Sequence, residues 1–467
     1  MKITIKNFGP IAEAKDVDLR PLTVFVGPSN TGKSYLAVLI YALFKSSQLR
    51  DPSHGLGRIH NLITTPLFDY EEEISEELTL LAKKEIEIRN FLDLPEKLRE
   101  LVKEKMEQGL ARAFHEELPR CMGTSTKDNQ LITDKFFLHF EDSKKSLRLS
   151  SFNNADLEIK NFSFEKDYFH RFIALREDTS RETRSQIFFS RVLSELIDYS
   201  NYLSYKAESF YLPAARTGIM QSHQAIVGAL IKRAPFVGFE TVSVPTLSGI
   251  VSDFLQEIIS MDTGQKEENH ISKIADDMEE KILKGSIKTK PFEAVQYPQF
   301  LYKQNGLEVP LLCSSSMVSE LAPVVLFIRH RVGKGDLLII EEPEAHLHPE
   351  AQRAISRVVV HLVRAGVRVM ITTHSDYFLD QLANHVRLSK LTESERNQLT
   401  DRQDAFLNED EIGAYAFNRQ EGGTIVEKLH FDTENGLSPE DHDKVSSDLY
   451  NETVEILEQF DQQNNEE

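Results

Sequence analysis

Eight residues near the N-terminus, Gly27-Pro28-Ser29-Asn30-Thr31-Gly32-Lys33-Ser34, follow the pattern G-x-x-x-x-G-K-[ST] in full. Glycines at both ends let backbone N–H groups curl round a phosphate, and a helix beginning there turns the positive end of its dipole toward the same group. Lys33 supplies a point charge suited to β- and γ-phosphate oxygens, and the Ser34 hydroxyl can reach a bridging Mg²⁺ ion. Tyr35 follows directly and is counted with the loop as a binding candidate. A Gly-rich turn could match by accident, but the required context is present. Leu22-Thr23-Val24-Phe25-Val26 is an apolar run suited to a buried strand, and Lys33 to Phe44 reads as a helix with almost nothing polar past Tyr35.

A second group of residues has the complementary chemistry. Asp336-Leu337-Leu338-Ile339-Ile340-Glu341-Glu342-Pro343 reads as a buried strand ending in two acids. Glu341, at the tip, would hold Mg²⁺ directly or through water, and Glu342 would orient and deprotonate a hydrolytic water. Acids at a helix N-terminus would also suit the helix dipole; the upstream phosphate loop favours the metal and water roles. Met370-Ile371-Thr372-Thr373-His374-Ser375 then places His374 at the end of the next buried strand, where it would contact a γ-phosphate and sense its loss. Cys313-Ser314-Ser315-Ser316-Met317 opens a helix before the acidic strand, and an N-cap alone could explain its serines.

These residues need a sheet to bring them together. Ile3–Phe8, Asp16–Leu19, 22–26, Ser209–Leu212, Asp336–Ile340 and Val367–Thr372 read as strands, with helices over Ser314–Arg331 and Pro349–Ala365. Hairpins are expected at Asn305-Gly306, within Leu301–Leu312, and at Gly422-Gly423, between Ala414–Arg419 and Thr424–Phe431. Between residues 46 and 205 the character changes. Glu71–Glu117 is charged and helical, the usual mark of a solvated face over a narrow core, and Phe136–Phe140, Leu147–Leu149 and Leu157–Phe164 alternate like a small antiparallel sheet. The division this suggests is an N-terminal lobe (1–45), an insertion (46–205), a lobe completion (206–300), a C-terminal lobe (301–435) and an acidic tail (436–467).

Composition narrows the classes. The chain has 467 residues, 40% of them hydrophobic and 27% charged, as expected of a globular multidomain protein. No apolar run approaches the roughly 20 residues that cross a bilayer, and Met1-Lys2-Ile3-Thr4-Ile5 lacks the make-up of a signal peptide. With only Cys121 and Cys313 there is no disulfide framework, so a cytoplasmic setting is expected. A net charge of −20 opposes indiscriminate binding to nucleic acid, although a local basic groove is compatible with it. The tail reads as a frayed, solubilising end or as a docking segment. His346 and His348, two apart with no cysteine nearby, make a poor zinc pattern.

Taken together, Lys6-Asn7-Phe8-Gly9-Pro10-Ile11, the phosphate loop, Phe210-Tyr211-Leu212-Pro213-Ala214-Ala215-Arg216, the serine segment, Glu341-Glu342-Pro343-Glu344-Ala345-His346-Leu347-His348-Pro349 and Thr373-His374-Ser375 resemble a known group. They look like the ATPase domains of OLD-family and RecF/SMC-like ABC proteins of prokaryotes, many of which serve in antiphage defence or DNA maintenance. The resemblance covers residues 1–45 and 205–435. It implies an α/β ABC-type P-loop ATPase head, a mixed-sheet lobe with a helical insertion and small antiparallel sheet, that binds ATP and Mg²⁺ and dimerises or assembles further around the nucleotide. It also implies that Ser314 and Ser315 form a signature capping the neighbouring subunit's γ-phosphate, and that Arg216 lies near the nucleotide or the lobe interface.

Two departures stand out. Ser316 occupies the position of the expected signature glycine, with Val318 beyond it in place of a polar residue. No Toprim-type metal cluster follows His374. Three readings result: an ATP-driven switch controlling a separate effector protein, a nuclease or toxin, in phage defence; a DNA-repair or chromosome-maintenance ATPase acting on DNA; and a transporter ATPase. The last is weakest, since no membrane partner segment and no LSGGQ-type signature are present. The acidic charge favours the switch over the DNA clamp, and the preference for defence rests on the resemblance.

Overall fold

The computed structural model describes residues 1–47, 50–51, 55–56, 96, 114, 116–124, 132–142, 145–149, 157–160, 207–222, 247–261, 269–291, 298–399, 404–434, 436–437 and 447–458. The expected helix over Glu71–Glu117 falls almost wholly outside them.

Period-two alternation at the N-terminus gives an antiparallel pair, β1 (Lys2–Phe8) and β2 (Ile11–Asp18). β2 starts earlier than the expected Asp16–Leu19. Its buried residues, Ile11, Ala14 and Val17, are three apart, and the register shifts opposite Ile3 and Ile5, so the two-residue period is lost. β3 (Leu22–Val26) is buried throughout and leads into the phosphate loop and α1 (Lys33–Ser47). Every residue of α1 from Leu36 to Phe44 is buried. A helix apolar on all sides must be covered on all sides.

Beyond a two-residue pair, β4 (Arg50–Asp51) with β5 (Gly55–Leu56), come β6 (Ile132–Asp142), β7 (Lys145–Leu149) and β8 (Leu157–Lys160). The sequence suggested that these last three form a sheet of their own. Instead β6 pairs antiparallel with β1, so they extend the main sheet, and the insertion is continuous with the N-terminal lobe. β9 is Ser209–Leu212, as expected. α2 (Gly249–Ile259) and α3 (His270–Met278) precede a separate three-stranded antiparallel sheet, β10 (Ser286–Pro291), β11 (Pro298–Gln304) and β12 (Leu307–Pro310). Asn305 and Gly306 turn its second hairpin with φ of 51° and 83°, the left-handed pair that a tight hairpin requires.

The remaining chain supplies α4 (Ser316–His330), β13 (Leu337–Glu341), α5 (Pro349–Arg364), β14 (Arg368–Thr373), α6 (Asp376–Ser389), α7 (Glu393–Asn397), β15 (Ile412–Gln420) and β16 (Gly423–Leu429). In the last hairpin Gln420 pairs with Gly423, so the turn is Glu421-Gly422 and Gly423 belongs to the strand. Within the tail, residues 447–458 are helical and, Val454 apart, exposed.

The main sheet runs β8-β7-β6-β1-β2-β16-β15-β3-β14-β13-β9. From β15 to β9 the neighbours are parallel, so the C-terminal ends of β3, β14, β13 and β9 lie side by side. One apolar cluster packs α1 on Phe25, Ile339 and Met370; the other packs α2–α6 against Val24, Leu338, Ile340 and Ile371. Among the described residues no helix is long and apolar enough to cross a membrane.

His385 of α6 is buried under this second layer, with Nδ1 2.5 Å from the Ala405 carbonyl oxygen and Nε2 3.3 Å from Ser356 Oγ. Burial lowers its pKa to about 4. A folded-state pKa below the free value of about 6.5 means that the unfolded chain binds the extra proton first, so stability present above pH 6.5 is lost as pH falls toward 4. We expect thermal unfolding between pH 7 and 5 to drop more steeply in the wild type than in His385→Gln, with a limiting difference of about 3 kcal/mol at pH 4. Equal slopes in the two proteins would refute this.

Candidate active site

The phosphate loop spans β3 and α1 with left-handed backbone where the motif demands it. Gly27 has φ 142°, and a Cβ there would stand 2.8 Å from the Phe417 carbonyl oxygen; Gly32 has φ 99°, with a Cβ position 2.8 Å from Ile11 Cγ1. Asn30 is also left-handed, at φ 63°. Thr31 Oγ1 donates to the Pro28 carbonyl at 2.8 Å, and Pro28, Ser29, Asn30 and Ser34 are exposed at the loop's mouth. The Lys33 ammonium folds into the loop and donates to the carbonyls of Gly27 and Pro28, both at 2.8 Å. Burial lowers its pKa to about 8, while Glu342, Glu344 and Glu341 pull in the other direction. Those influences put all three acids in range of Lys33. The half-buried ring of Tyr35 packs on Gly9 and edge-on to Phe8, with centroids 6.2 Å apart.

At the end of β13, Glu341 is buried. Its Oε2 accepts from the Ala214 N–H at 3.0 Å, while Oε1, next to the equally enclosed Tyr211 hydroxyl, lacks a hydrogen bond of good geometry. Burial and this neighbouring carboxylate push the Tyr211 phenol well above its usual pKa. The next residue, Glu342, breaks from the strand with φ 43°. Its N–H donates to the Thr372 carbonyl at 2.9 Å, and its Oε1 lies 3.6 Å from His374 Nε2. Both side chains are about a third exposed, at 39% and 34%. The acid and the histidine named from sequence therefore face each other across adjacent strand ends.

Glu344 was quoted in the sequence only as part of a run, yet it holds this pair in place. Its Oε1 accepts from Thr373 Oγ1 at 2.7 Å and from the His374 N–H at 2.8 Å. Burial chiefly, with Glu342 nearby, raises its pKa. A third acid two residues after Glu342 was the available signal. Arg216 lies directly behind the two acids at the end of β13. It is wholly buried and donates to the carbonyls of Pro213, Glu320, Glu341 and Glu342, so its guanidinium is spent on the protein and is not presented to a nucleotide. Ser314 donates to the Leu311 carbonyl at 2.7 Å, and Ser315 caps α4 by accepting from the Val318 N–H at 3.4 Å. The contacts made by both serines are local.

A phosphate loop opening α1, with an acidic strand tip and a histidine at the ends of the two parallel strands beside β3, is the arrangement of a P-loop ATPase. The AAA ATPase domain family matches residues 1–379, and the chain belongs to that family. It binds ATP and hydrolyses it. A search of curated proteins gives no match. Solved structures resemble the chain loosely. An Smc head bound to the C-winged helix domain of ScpA gives a TM-score of 0.40 at 11% identity, covering 93% of this chain and 98% of that one. The Smc head with an extended coiled coil bound to the C-terminal domain of ScpA, from Pyrococcus furiosus, gives 0.36 at 10%, covering 98% of each. The SMC head domain of Thermotoga maritima gives 0.34 at 8%, covering 92% and 98%.

The Lys33 amine has a measurable consequence. With a pKa of about 8 it is half neutral at pH 8, and phosphate oxygens that replace the loop carbonyls favour the charged form. ATP binding at pH 8 should therefore take up a fraction of a proton, seen as a buffer-dependent calorimetric enthalpy, and affinity should fall as pH rises from 7 to 9. In Lys33→Ala binding should be lost. A buffer-independent enthalpy, or ATP affinity retained in Lys33→Ala, would contradict this account.

Proposed function

We propose that this protein is an ATP-driven switch: two copies close over ATP, hydrolysis reopens them, and the cycle controls a separate effector protein in antiphage defence. The observation that carries the hydrolytic part is the Glu342–His374 pair at 3.6 Å, at strand ends beside the Lys33 loop. In this reading Lys33 neutralises charge on the β- and γ-phosphates, and the loop residues 27–34 wrap them. Mg²⁺ would be held by the exposed Ser34 hydroxyl and by the Glu341 carboxylate at the strand tip. Oxygen donors of this kind suit a hard divalent cation. Glu342 orients and deprotonates the attacking water, and His374 beside it contacts the γ-phosphate. Ser314 and Ser315 then stand at the N-terminus of α4, where the helix dipole favours the neighbour's γ-phosphate.

A second reading, direct action on DNA, draws on one local feature. Lys288, Lys290 and Lys303 gather round Glu308 on the exposed face of the three-stranded sheet, a basic spot on a chain of net charge −20.

Mass measurement separates binding from turnover. Glu342→Gln should bind ATP, accumulate the closed dimer and hydrolyse on the order of 10²–10⁴ times more slowly, because a general base acts in the transition state. Unimpaired turnover in Glu342→Gln would remove it from this role. Mixing tests the sharing of sites: Ser314→Arg and Lys33→Ala subunits are each expected to be inactive alone and to regain part of the activity together, through the one intact composite site. Mixed dimers without activity would leave the serines as a helix cap only. Pure protein should not cut plasmid DNA with Mg²⁺ or Mn²⁺, and pull-down with Glu342→Gln and ATP should recover a second protein. Recovery of DNA alone would favour the DNA reading.

A further inference from the structure

The guanidinium of Arg216 joins three elements. Nη1 donates to the Glu341 carbonyl at 2.6 Å and to Pro213 at 3.3 Å, Nη2 donates to the Glu342 carbonyl at 3.0 Å, and Nε donates to the Glu320 carbonyl of α4 at 3.1 Å. Nη2 also lies 2.9 Å from the Glu320 carboxylate, and both side chains of this ion pair are buried. The other carboxylate oxygen of Glu320 accepts from the Thr217 hydroxyl. Pro323 lies within α4, one turn beyond, where a missing N–H and the ring's bulk loosen the backbone ladder.

Glu342 is the residue this arrangement restrains. A left-handed φ of 43° is costly for a residue with a Cβ, and such a conformation persists only where surrounding contacts over-determine it. Here the backbone is held on both sides: the N–H by Thr372 on β14, and the carbonyl by the Ala345 N–H and, as the one contact from outside this turn, by Arg216, each at 3.0 Å. Without that turn the chain would continue along the β13 direction, and successive side chains of a strand point to opposite faces. The Glu342 carboxylate would then leave His374.

We propose that Arg216 is a positioning residue for ATP hydrolysis, fixing the turn that aims Glu342 and tying that turn to α4 through Glu320. The inference rests on the reading of Glu342 as the group that activates water. Arg216 touches neither nucleotide nor water in this role.

Truncating one member of a buried ion pair strands the other charge, whereas replacing both with apolar residues of similar volume is often tolerated. The test therefore uses Arg216→Met with Glu320→Met, and separately Arg216→Lys, which keeps a cation beside Glu320 but cannot span the same carbonyls. Single-turnover ATP hydrolysis should fall about 10–100-fold in each, with ATP affinity unchanged, the size expected when a supporting contact of a reacting group is lost. A purely structural role would lower affinity and rate together. The decisive comparison is made in a Glu342→Gln background. If Arg216 acts through Glu342, adding either Arg216 change costs nothing further. A further 10–100-fold loss there would overturn the proposal, as would an unchanged rate in folded Arg216→Lys. If Glu342→Gln itself hydrolyses normally, the reading of Glu342 fails instead, a distinct outcome.

Discussion

The phosphate end of the molecule depends on a charge balance inside the protein. Glu320, Glu341 and Glu344 are buried and Glu342 is half-buried, while Lys33 and Arg216 are the buried cations among them. An isolated carboxylate out of water is costly, so each acid must find donors or a cation. Glu320 has Arg216 and Thr217, and Glu344 has Thr373 and the His374 N–H. Glu341 has a single backbone donor, from Ala214. Acids therefore outnumber cations around the loop, and the Tyr211 hydroxyl stands beside Glu341 as well. The same excess holds the Lys33 amine's pKa higher than burial alone would leave it.

Much of this was legible in the sequence because its signals are local. The loop's glycines, the unbroken apolar strand before it and the acids closing Leu337–Ile340 are each contiguous, and β3 and β9 match the residues expected. Parallel pairing then brings their ends together without further information. What sequence could not show was non-local. Arg216 looked like a candidate for the nucleotide because it follows a strand end, and only the fold reveals that Glu320, over 100 residues away, claims it. Tyr35 adjoins the motif, but a helix turns each successive side chain by about 100°, which carried its ring to Gly9 and Phe8. The placement of β6 beside β1 likewise rests on backbone pairing across residues whose alternation fits either a separate or a shared sheet.

Local strain and local rigidity meet at the same place. Four left-handed residues, Gly27, Asn30, Gly32 and Glu342, lie in the loop or at the acidic strand tip, and His346 adds a fifth just beyond. Only two of the five are glycines, so the others are held by their surroundings. Such conformations are stored where geometry matters more than local stability. Their supports are buried: Phe417 and Ile11 behind the glycines, Thr372 and Arg216 around Glu342.

The helix that carries the loop also links it to the insertion. Tyr41 of α1 donates to Asp253 of α2 at 2.8 Å, and Arg120 makes a two-pronged contact with the same carboxylate, at 2.9 and 2.8 Å. Arg120 also pairs with Glu117, so the segment 116–122, within the insertion, is tied through Asp253 to α1. The approach is close: a Cβ at Gly249 would stand 2.8 Å from the Arg120 carbonyl oxygen, and one at Gly123 would stand 2.9 Å from Ser248 Cβ. Because α1 is enclosed on every side, its position is set by packing as well as by these polar contacts. Tyr41, Asp253 and Arg120 thus form a continuous hydrogen-bonded chain from the helix that carries the phosphate loop to the segment 116–122.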